Sequence, residues 1–237
     1  MKRFLLILSM LLALNAAAQE QLILLPAEGR NAPETIRDNP LYGKTVIVFG
    51  DSYVQNSACP IQETWHYKLA AKYNMEYHNW GRNGTCIAYD WQREQFGAPM
   101  YERFAELPDI PVDYLIVIGG HNDAVLMDRY GEGTEFFCEK LRILCKGLRE
   151  KYPTAIICFV TPWDVPRPMY RETAQAMLQV CGEFGIPVFD ATKHSGIFVH
   201  YRGFRQIFFQ SPDDTAHLNA KGHDLFLPRI EPFLLGL

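Results

Sequence analysis

The stretch Val46-Ile47-Val48-Phe49-Gly50-Asp51-Ser52-Tyr53 decides how the rest of the chain is interpreted. Its first four residues are β-branched or aromatic, and glycine and aspartate follow them, which is typical of a buried strand that ends in a turn. Such a strand brings Ser52 to its carboxyl end, where open parallel sheets place their functional groups. The same residues also suit a purely structural turn, in which Asp51 or Ser52 caps the next helix. Taken alone, the stretch leaves a nucleophile and a turn as equal alternatives.

Residues 1–18 have the three-part pattern of a secretory signal peptide. Lys2-Arg3 precede an apolar run from Phe4 to Leu14, and Ala16-Ala17-Ala18 offer a cleavage site. The apolar run is shorter than the roughly 20 residues that a membrane-spanning helix needs. The sequence therefore predicts an exported protein, periplasmic or extracellular, without membrane insertion.

The remaining chain fits one domain. Residues 19–43 include three prolines and show little periodicity, so we expect an extended N-terminal arm. Residues 44–237 are long enough for one large α/β domain. The net charge is −4 and no dense basic cluster is present, which argues against nucleic acid or an anionic membrane surface as a partner.

Apolar runs of strand length alternate with amphipathic helical patterns along this domain. The five predicted strands are Val46–Phe49, Met75–Trp80, Tyr114–Ile118, Ala155–Val160 and Pro187–Asp190. A long helix is predicted after the third strand, with Thr134 as its cap and a buried stripe of Phe137, Leu141, Leu144 and Leu148. A last helix is predicted over Ala220–Leu234. The alternation predicts an α/β fold, a three-layer α/β/α sandwich with a central parallel, flavodoxin-like five-stranded sheet.

Polar residues and glycine follow the first three predicted strands. Ser52 ends the first strand, Gly84 follows the second and Asn122 the third, while Asp214 and His217 come shortly before the last helix. Because the carboxyl ends of parallel strands share one edge of the sheet, all five can meet there.

At this point the chain resembles the SGNH hydrolases, the GDSL family of esterases and lipases. Four blocks match in order: Gly50-Asp51-Ser52-Tyr53, Asn79-Trp80-Gly81-Arg82-Asn83-Gly84, Gly120-His121-Asn122-Asp123 and Asp214-Thr215-Ala216-His217-Leu218-Asn219. Two positions depart from the family pattern, since Tyr53 stands where leucine is frequent and Leu218 where proline is frequent. Neither change removes a reacting group.

The resemblance implies a catalytic triad of Ser52, Asp214 and His217. It also implies an oxyanion hole formed by the backbone N–H groups of Ser52 and Gly84 and the side-chain amide of Asn122. The chemistry is consistent with these roles, because a serine hydroxyl needs a base to take its proton and histidine titrates near neutral pH. No metal or cofactor is expected. Asp51 is expected to shape the turn.

Several alternatives stay open or are disfavoured. Asp190, His194 and His200 match no strong metal-ligand spacing. The nucleophile elbow of α/β-hydrolases needs glycine where Val54 stands. A Cys59–Cys86 disulfide is a hypothesis for an oxidising compartment, and residues 193–213 are a candidate lid.

The sequence thus predicts an exported serine esterase that acts through an acyl-enzyme on a small-molecule or glycan ester. Aromatic loop residues, among them Tyr89, Trp91 and Trp163, suit either stacking on an O-acetylated sugar or a place in the core. The irregular segment from Cys86 to Pro111 is expected to wrap the domain, and a substrate wall is the alternative. Its aromatic residues are Tyr89, Trp91, Phe96, Tyr101 and Phe104. A lipase or short-chain ester hydrolase, and a non-catalytic carbohydrate-binding module on the same fold, are the alternatives.

Overall fold

The computed structural model describes residues 23–24 and 34–237. The predicted signal peptide, and most of the predicted arm, lie outside the described residues. The strands are β1 (Ile23–Leu24), β2 (Thr45–Gly50), β3 (Glu76–Gly81), β4 (Tyr114–Ile118), β5 (Ile156–Val160) and β6 (Val188–Phe189). The helices are α1 (Glu34–Arg37), α2 (Ser52–Gln55), α3 (Trp65–Lys72), α4 (Met100–Arg103), α5 (His121–Tyr130), α6 (Glu135–Lys151), α7 (Tyr170–Glu183), α8 (Ala191–His194), α9 (Arg202–Phe208) and α10 (Ala220–Leu235).

The strands form one sheet in the order β1-β3-β2-β4-β5-β6. Strands β2 to β6 are parallel, which confirms the predicted five-stranded sheet and its flavodoxin-like order. Strand β1, within the predicted arm, adds an antiparallel edge pairing with β3. The first strand of the domain, β2, therefore lies in the middle of the sheet.

Alternating side chains of β2 point into two separate cores. Val46 and Val48 pack with the layer of helices α3 and α10, whereas Ile47 and Phe49 pack with the layer of helices α6 and α7. This alternation follows from the period of two in a strand. We refer to these as the α3/α10 layer and the α6/α7 layer.

Gly50 is required at the end of β2 by close packing. A Cβ atom at this position would lie 2.3 Å from the carbonyl oxygen of Ile118 in β4 and 2.6 Å from Cγ2 of Val54. The absence of a side chain lets the backbone turn directly from β2 into α2, so Ser52 lies at the carboxyl edge of the sheet.

Helix α5 was not anticipated from the sequence, which predicted only a long helix after Thr134. Its segment has a mixed polar pattern, and only four of its residues are buried: Asp123, Ala124, Leu126 and Met127. The later helix α6 has the expected stripe of Phe137, Leu141, Leu144 and Leu148. Thr134 occupies the N-cap position of α6 but its side chain makes no capping hydrogen bond.

Candidate active site

Ser52 is the first residue of α2 and is half-buried. Asp51 is the N-cap residue of this helix, and its Oδ1 accepts a hydrogen bond of 2.8 Å from the backbone N–H of Tyr53. This is the turn-shaping role expected for Asp51. The cap and the packing around Gly50 together fix the backbone that carries Ser52.

Asp214 and His217 lie in the loop before α10. Oδ1 of Asp214 accepts backbone hydrogen bonds from Ala216 (2.7 Å) and His217 (2.9 Å), while Oδ2 lies 2.9 Å from Nδ1 of His217. An ionised carboxylate only accepts hydrogen bonds, so Nδ1 carries the proton and Nε2 is left to accept one. The loop is anchored by Asn219, which caps α10 and donates to the Ile207 and Phe209 carbonyls.

The two groups shift each other's pKa in opposite directions. Burial lowers the pKa of His217, but its hydrogen bond to Asp214 and the Asp214 charge outweigh burial and raise this pKa above its usual value. Burial raises the pKa of Asp214, but the hydrogen bonds from the His217 side chain and from two backbone N–H groups lower it overall. The ion pair is thus favoured over the neutral pair.

Ser52 and His217 line the same narrow cavity at the carboxyl edge of the sheet, which has room for about one water molecule. The rest of the lining is mainly aromatic and aliphatic, and includes Tyr53, Ile118, Trp163, Leu218 and Phe226. The structure therefore brings the predicted nucleophile and the predicted base to one site with an apolar floor.

The predicted oxyanion donors lie on the loops that follow β3 and β4. Gly84 has a φ of +76°, a left-handed conformation that glycine adopts without strain. Nδ2 of Asn122 donates to the Thr85 carbonyl at 3.0 Å, which ties the two loops together and leaves a second amide hydrogen. Within the part of the chain that the structure describes, neither the Ser52 nor the Gly84 backbone N–H has a protein acceptor. Each of the three groups therefore keeps a donor hydrogen for a ligand.

Asp123 is a site residue whose role the sequence did not reveal. Its buried carboxylate accepts backbone hydrogen bonds from Ile87 (2.8 Å), Ala88 (2.8 Å) and Tyr89 (3.4 Å). Burial raises the pKa of Asp123 to about 6 despite these bonds. The carboxylate fixes the segment just after Gly84 to the start of α5, and so supports both loops that carry the predicted oxyanion donors.

Tyr53, one of the two residues that depart from the family pattern, belongs to a hydrogen-bonded chain. Its hydroxyl lies 3.0 Å from Nδ1 of His121, and the Tyr170 hydroxyl lies 3.0 Å from Nε2 of the same ring. Burial lowers the pKa of His121 to about 3, so this histidine is neutral. The Tyr53 ring also stacks on Trp163 at 5.0 Å, and Trp163 donates to the Ala216 carbonyl at 2.8 Å. These contacts connect the segments that carry Ser52, Asn122 and His217.

Burial of two of the three candidate sugar-stacking residues favours the core alternative. Tyr89 is 7% exposed and Trp163 is 3% exposed, so both pack in the core, although Trp163 also lines the cavity that Ser52 and His217 share. Tyr89 instead donates to Glu132, and Trp163 supports Tyr53. Trp91 is half-buried and retains part of its surface.

The Cys59–Cys86 disulfide is also wrong for this structure, since both cysteines are free thiols. Cys59 accepts a hydrogen bond from Nδ2 of Asn56 at 3.1 Å, whereas Cys86 is buried in the α6/α7 layer. The two side chains thus have separate environments.

The disfavoured metal residues have other partners. Asp190 pairs with Lys193 at 2.8 Å, and His200 pairs with Asp164 at 3.0 Å. Among residues 34–237, no group of three or more His, Cys, Asp or Glu side chains is arranged to hold a metal ion.

The candidate lid, residues 193–213, packs against the loop that carries Asp214. It contains α9, and the backbone N–H of Gln210 donates to the His217 carbonyl at 2.9 Å. Within the described residues, no helix is long and apolar enough to cross a bilayer.

The parallel sheet between two helical layers, with polar groups at its carboxyl edge, defines the class as a three-layer α/β fold. The model of the GDSL-like Lipase/Acylhydrolase family matches residues 48–225. The chain therefore belongs to this family, and is an ester-hydrolysing enzyme by that membership. No curated protein matches the sequence significantly.

Solved structures share the fold. A protein from Lactobacillus plantarum has a TM-score of 0.69 at 22% identity, and covers 81% of this chain and 97% of its own. A member of the lipolytic protein G-D-S-L family from Veillonella parvula DSM 2008 has a TM-score of 0.57 at 17% identity, and covers 81% and 99%. A carbohydrate acetylesterase family member from Sinorhizobium meliloti has a TM-score of 0.59 at 18% identity, and covers 82% and 100%.

Proposed function

We propose that this protein is an exported serine esterase that hydrolyses carboxylic esters through an acyl-enzyme. The observation that carries the proposal is the 2.9 Å contact between Oδ2 of Asp214 and Nδ1 of His217, with Ser52 on the same cavity. In the first step the Ser52 Oγ bonds to the ester carbonyl carbon while Nε2 of His217 takes the hydroxyl proton. The bond to the alcohol oxygen then breaks, and His217 returns the proton to the leaving alcohol.

Water completes the reaction in a second, matching step. The water oxygen bonds to the acyl carbon while His217 takes a proton from the water. The bond between the acyl carbon and Ser52 Oγ then breaks, and His217 returns the proton to Ser52. In both steps the N–H groups of Ser52 and Gly84 and the Asn122 amide stabilise the oxyanion. No other reactant is needed.

For the substrate, we propose an O-acetylated carbohydrate. Two observations support it: the half-buried aromatic rings of Trp91 and Phe96 lie beside the oxyanion loop, and one structural relative is a carbohydrate acetylesterase family member. Hydrolysis of lipid or other short-chain esters is the competing possibility. Export, proposed from the signal-like residues 1–18, would place the enzyme where it meets extracellular or periplasmic glycans.

The test compares acetate release from acetylated oligosaccharides with fatty acid release from long-chain esters, using the mature chain. Ser52→Ala should abolish both, whereas Ser57→Ala, an exposed serine nearby, should leave them unchanged. Release of acetate with no fatty acid supports the glycan proposal, and a preference for long-chain esters contradicts it. Equal rates in the parent and Ser52→Ala would contradict the serine mechanism. A non-catalytic binding module would hydrolyse neither substrate.

A further inference from the structure

The ring of Phe96 lies directly against the oxyanion glycine. A Cβ atom placed on Gly84 would be 2.2 Å from Cδ1, 2.5 Å from Cε1 and 2.7 Å from Cγ of Phe96. The Phe96 side chain therefore occupies the space that any other residue at position 84 would fill. It is half-buried, so part of the ring faces outward beside the candidate oxyanion hole.

The segment that carries this ring is fixed to the oxyanion loops. Phe96 ends a 3₁₀ turn, Glu94–Phe96, and its carbonyl accepts a hydrogen bond of 2.9 Å from the Thr85 hydroxyl. The Thr85 carbonyl in turn accepts the Asn122 amide. One residue, Thr85, thus joins the ring segment to both Gly84 and Asn122.

The ring is also held from the side. Trp91 packs edge-on against Phe96 with ring centres 5.9 Å apart, and the Arg129 guanidinium lies 5.0 Å from the centre of the Trp91 ring. On the following residue, a Cβ at Gly97 would lie 2.1 Å from Nη1 of Arg82, so the Arg82 side chain covers this turn. An aromatic ring fixed in this way forms a wall of constant position.

The two core layers indicate on which side of the site the alcohol half and the acyl half of an ester lie. The residues flanking His217, Ala216 and Leu218, pack into the α3/α10 layer, whereas Trp91 packs into the α6/α7 layer. Because His217 delivers a proton to the leaving alcohol, the alcohol must lie on the side of His217. With the oxyanion directed at the three N–H donors, the acyl substituent is left to point away from His217. This is the side of Trp91 and of the Phe96 ring that Trp91 contacts.

We propose that Phe96 is the wall of the acyl pocket and restricts the enzyme to short acyl groups such as acetyl. The inference rests on the proposed serine esterase function and assigns its acyl specificity to one residue. Phe96 contacts the acyl group and takes no part in bond making or breaking. Replacing it with a small residue opens room for additional methylene groups.

The test measures kcat/KM of the mature chain on nitrophenyl acetate, butyrate, hexanoate and octanoate. The parent should prefer acetate, and Phe96→Ala should raise the octanoate-to-acetate ratio at least about tenfold, since each methylene accommodated in an apolar pocket is worth roughly that factor or more. Phe136→Ala is the matched control, because Phe136 is 40% exposed on α6 and contacts Tyr89. The octanoate-to-acetate ratio of Phe136→Ala should equal that of the parent.

An unchanged ratio in folded Phe96→Ala, or an equal change in Phe136→Ala, would overturn the proposal. If Phe96→Ala does not fold, Phe96→Leu replaces it and should give a smaller rise in the octanoate-to-acetate ratio. An unchanged ratio in folded Phe96→Leu would also overturn the proposal. A series of acetate esters with small and large alcohols gives the second readout. A changed alcohol preference with an unchanged acyl preference would place Phe96 on the wrong side.

The failure of this inference is distinguishable from failure of the proposed function. An active parent with inactive Ser52→Ala, together with an unaltered chain-length ratio in Phe96→Ala, overturns only the acyl wall. A parent without esterase activity, or an active Ser52→Ala, overturns the serine esterase itself and the acyl wall with it.

Discussion

Nδ1 of His217 lies 2.9 Å from Oδ2 of Asp214, whose other oxygen accepts two backbone N–H groups of the same loop. A carboxylate with this many donors is fixed in position and stays ionised, so the imidazole is held in one tautomer. The orientation leaves Nε2 as the only ring nitrogen that can serve as a base.

Asp214→Asn should lower kcat by roughly 10³ to 10⁴, because an amide can stabilise the wrong tautomer and cannot stabilise the imidazolium. The pH profile should also move. His217 acts as a base only when neutral, so activity is lost as pH falls through its pKa, and the Asp214 charge raises that pKa. In Asp214→Asn the acid limb of the residual kcat/KM should therefore shift to lower pH. An acid limb at the parental pH would show that protonation of His217 is not what lowers activity at low pH.

Asn122→Ala should lower kcat by about 10² to 10³ with a small change in KM, because the amide stabilises charge that develops only in the transition state. Steady-state kinetics on a nitrophenyl ester give both constants. The same variant loses the 3.0 Å hydrogen bond to Thr85, so its free energy of unfolding must be measured in parallel. A fall in activity that merely follows a lower folded fraction would contradict the oxyanion role.

Tyr53→Phe removes a hydroxyl hydrogen bond to His121 but retains the ring that stacks on Trp163. We expect a loss of about 1 kcal/mol in the free energy of unfolding by denaturant, and a loss of less than about tenfold in kcat. Tyr201→Phe is the control, since Tyr201 is 61% exposed. A loss of activity as complete as in Ser52→Ala would give the Tyr53 hydroxyl a chemical role that the structure does not assign.

Asp51→Asn should flatten the pH dependence of stability. Burial raises the pKa of Asp51 from 3.8 to about 7, so between those values the folded chain holds a proton that the unfolded chain releases. The contribution of Asp51 to stability is therefore complete below about pH 4 and is lost as pH rises through 7. From pH 5 to pH 8 the parent should lose more unfolding free energy than Asp51→Asn, by about 1 kcal/mol or more. Asparagine is also a favoured N-cap residue, so α2 stays capped in the variant. Parallel curves of unfolding free energy against pH for the two proteins would contradict a pKa of Asp51 raised by burial.

The fold and the main site follow from local sequence because they depend on short patterns. Apolar runs located the parallel strands, and the glycine after Phe49 marked where the chain turns at the sheet edge. Asp214 and His217 are three residues apart, so their contact needs only a turn. These features depend on chain neighbours and on the rule that parallel strands end at one edge.

Other features depend on contacts between distant loops. The hydrogen bonds that Asp123 accepts from Ile87 and Ala88, and the contact of the Phe96 ring with Gly84, join segments without periodicity. The same reason explains why the sequence could not decide between core and sugar stacking for Tyr89 and Trp163, because an aromatic residue in a loop suits either one. Helix α5 was missed since its first turn consists of polar residues that serve the site.

The most direct test of the account is the location of a covalent label after reaction with a fluorophosphonate, which traps an activated serine. The account predicts one label per chain, found by peptide mass mapping on Ser52, and strongly slowed labelling in His217→Ala. A label on another residue, or an unlabelled Ser52 in a protein that hydrolyses esters, would contradict it.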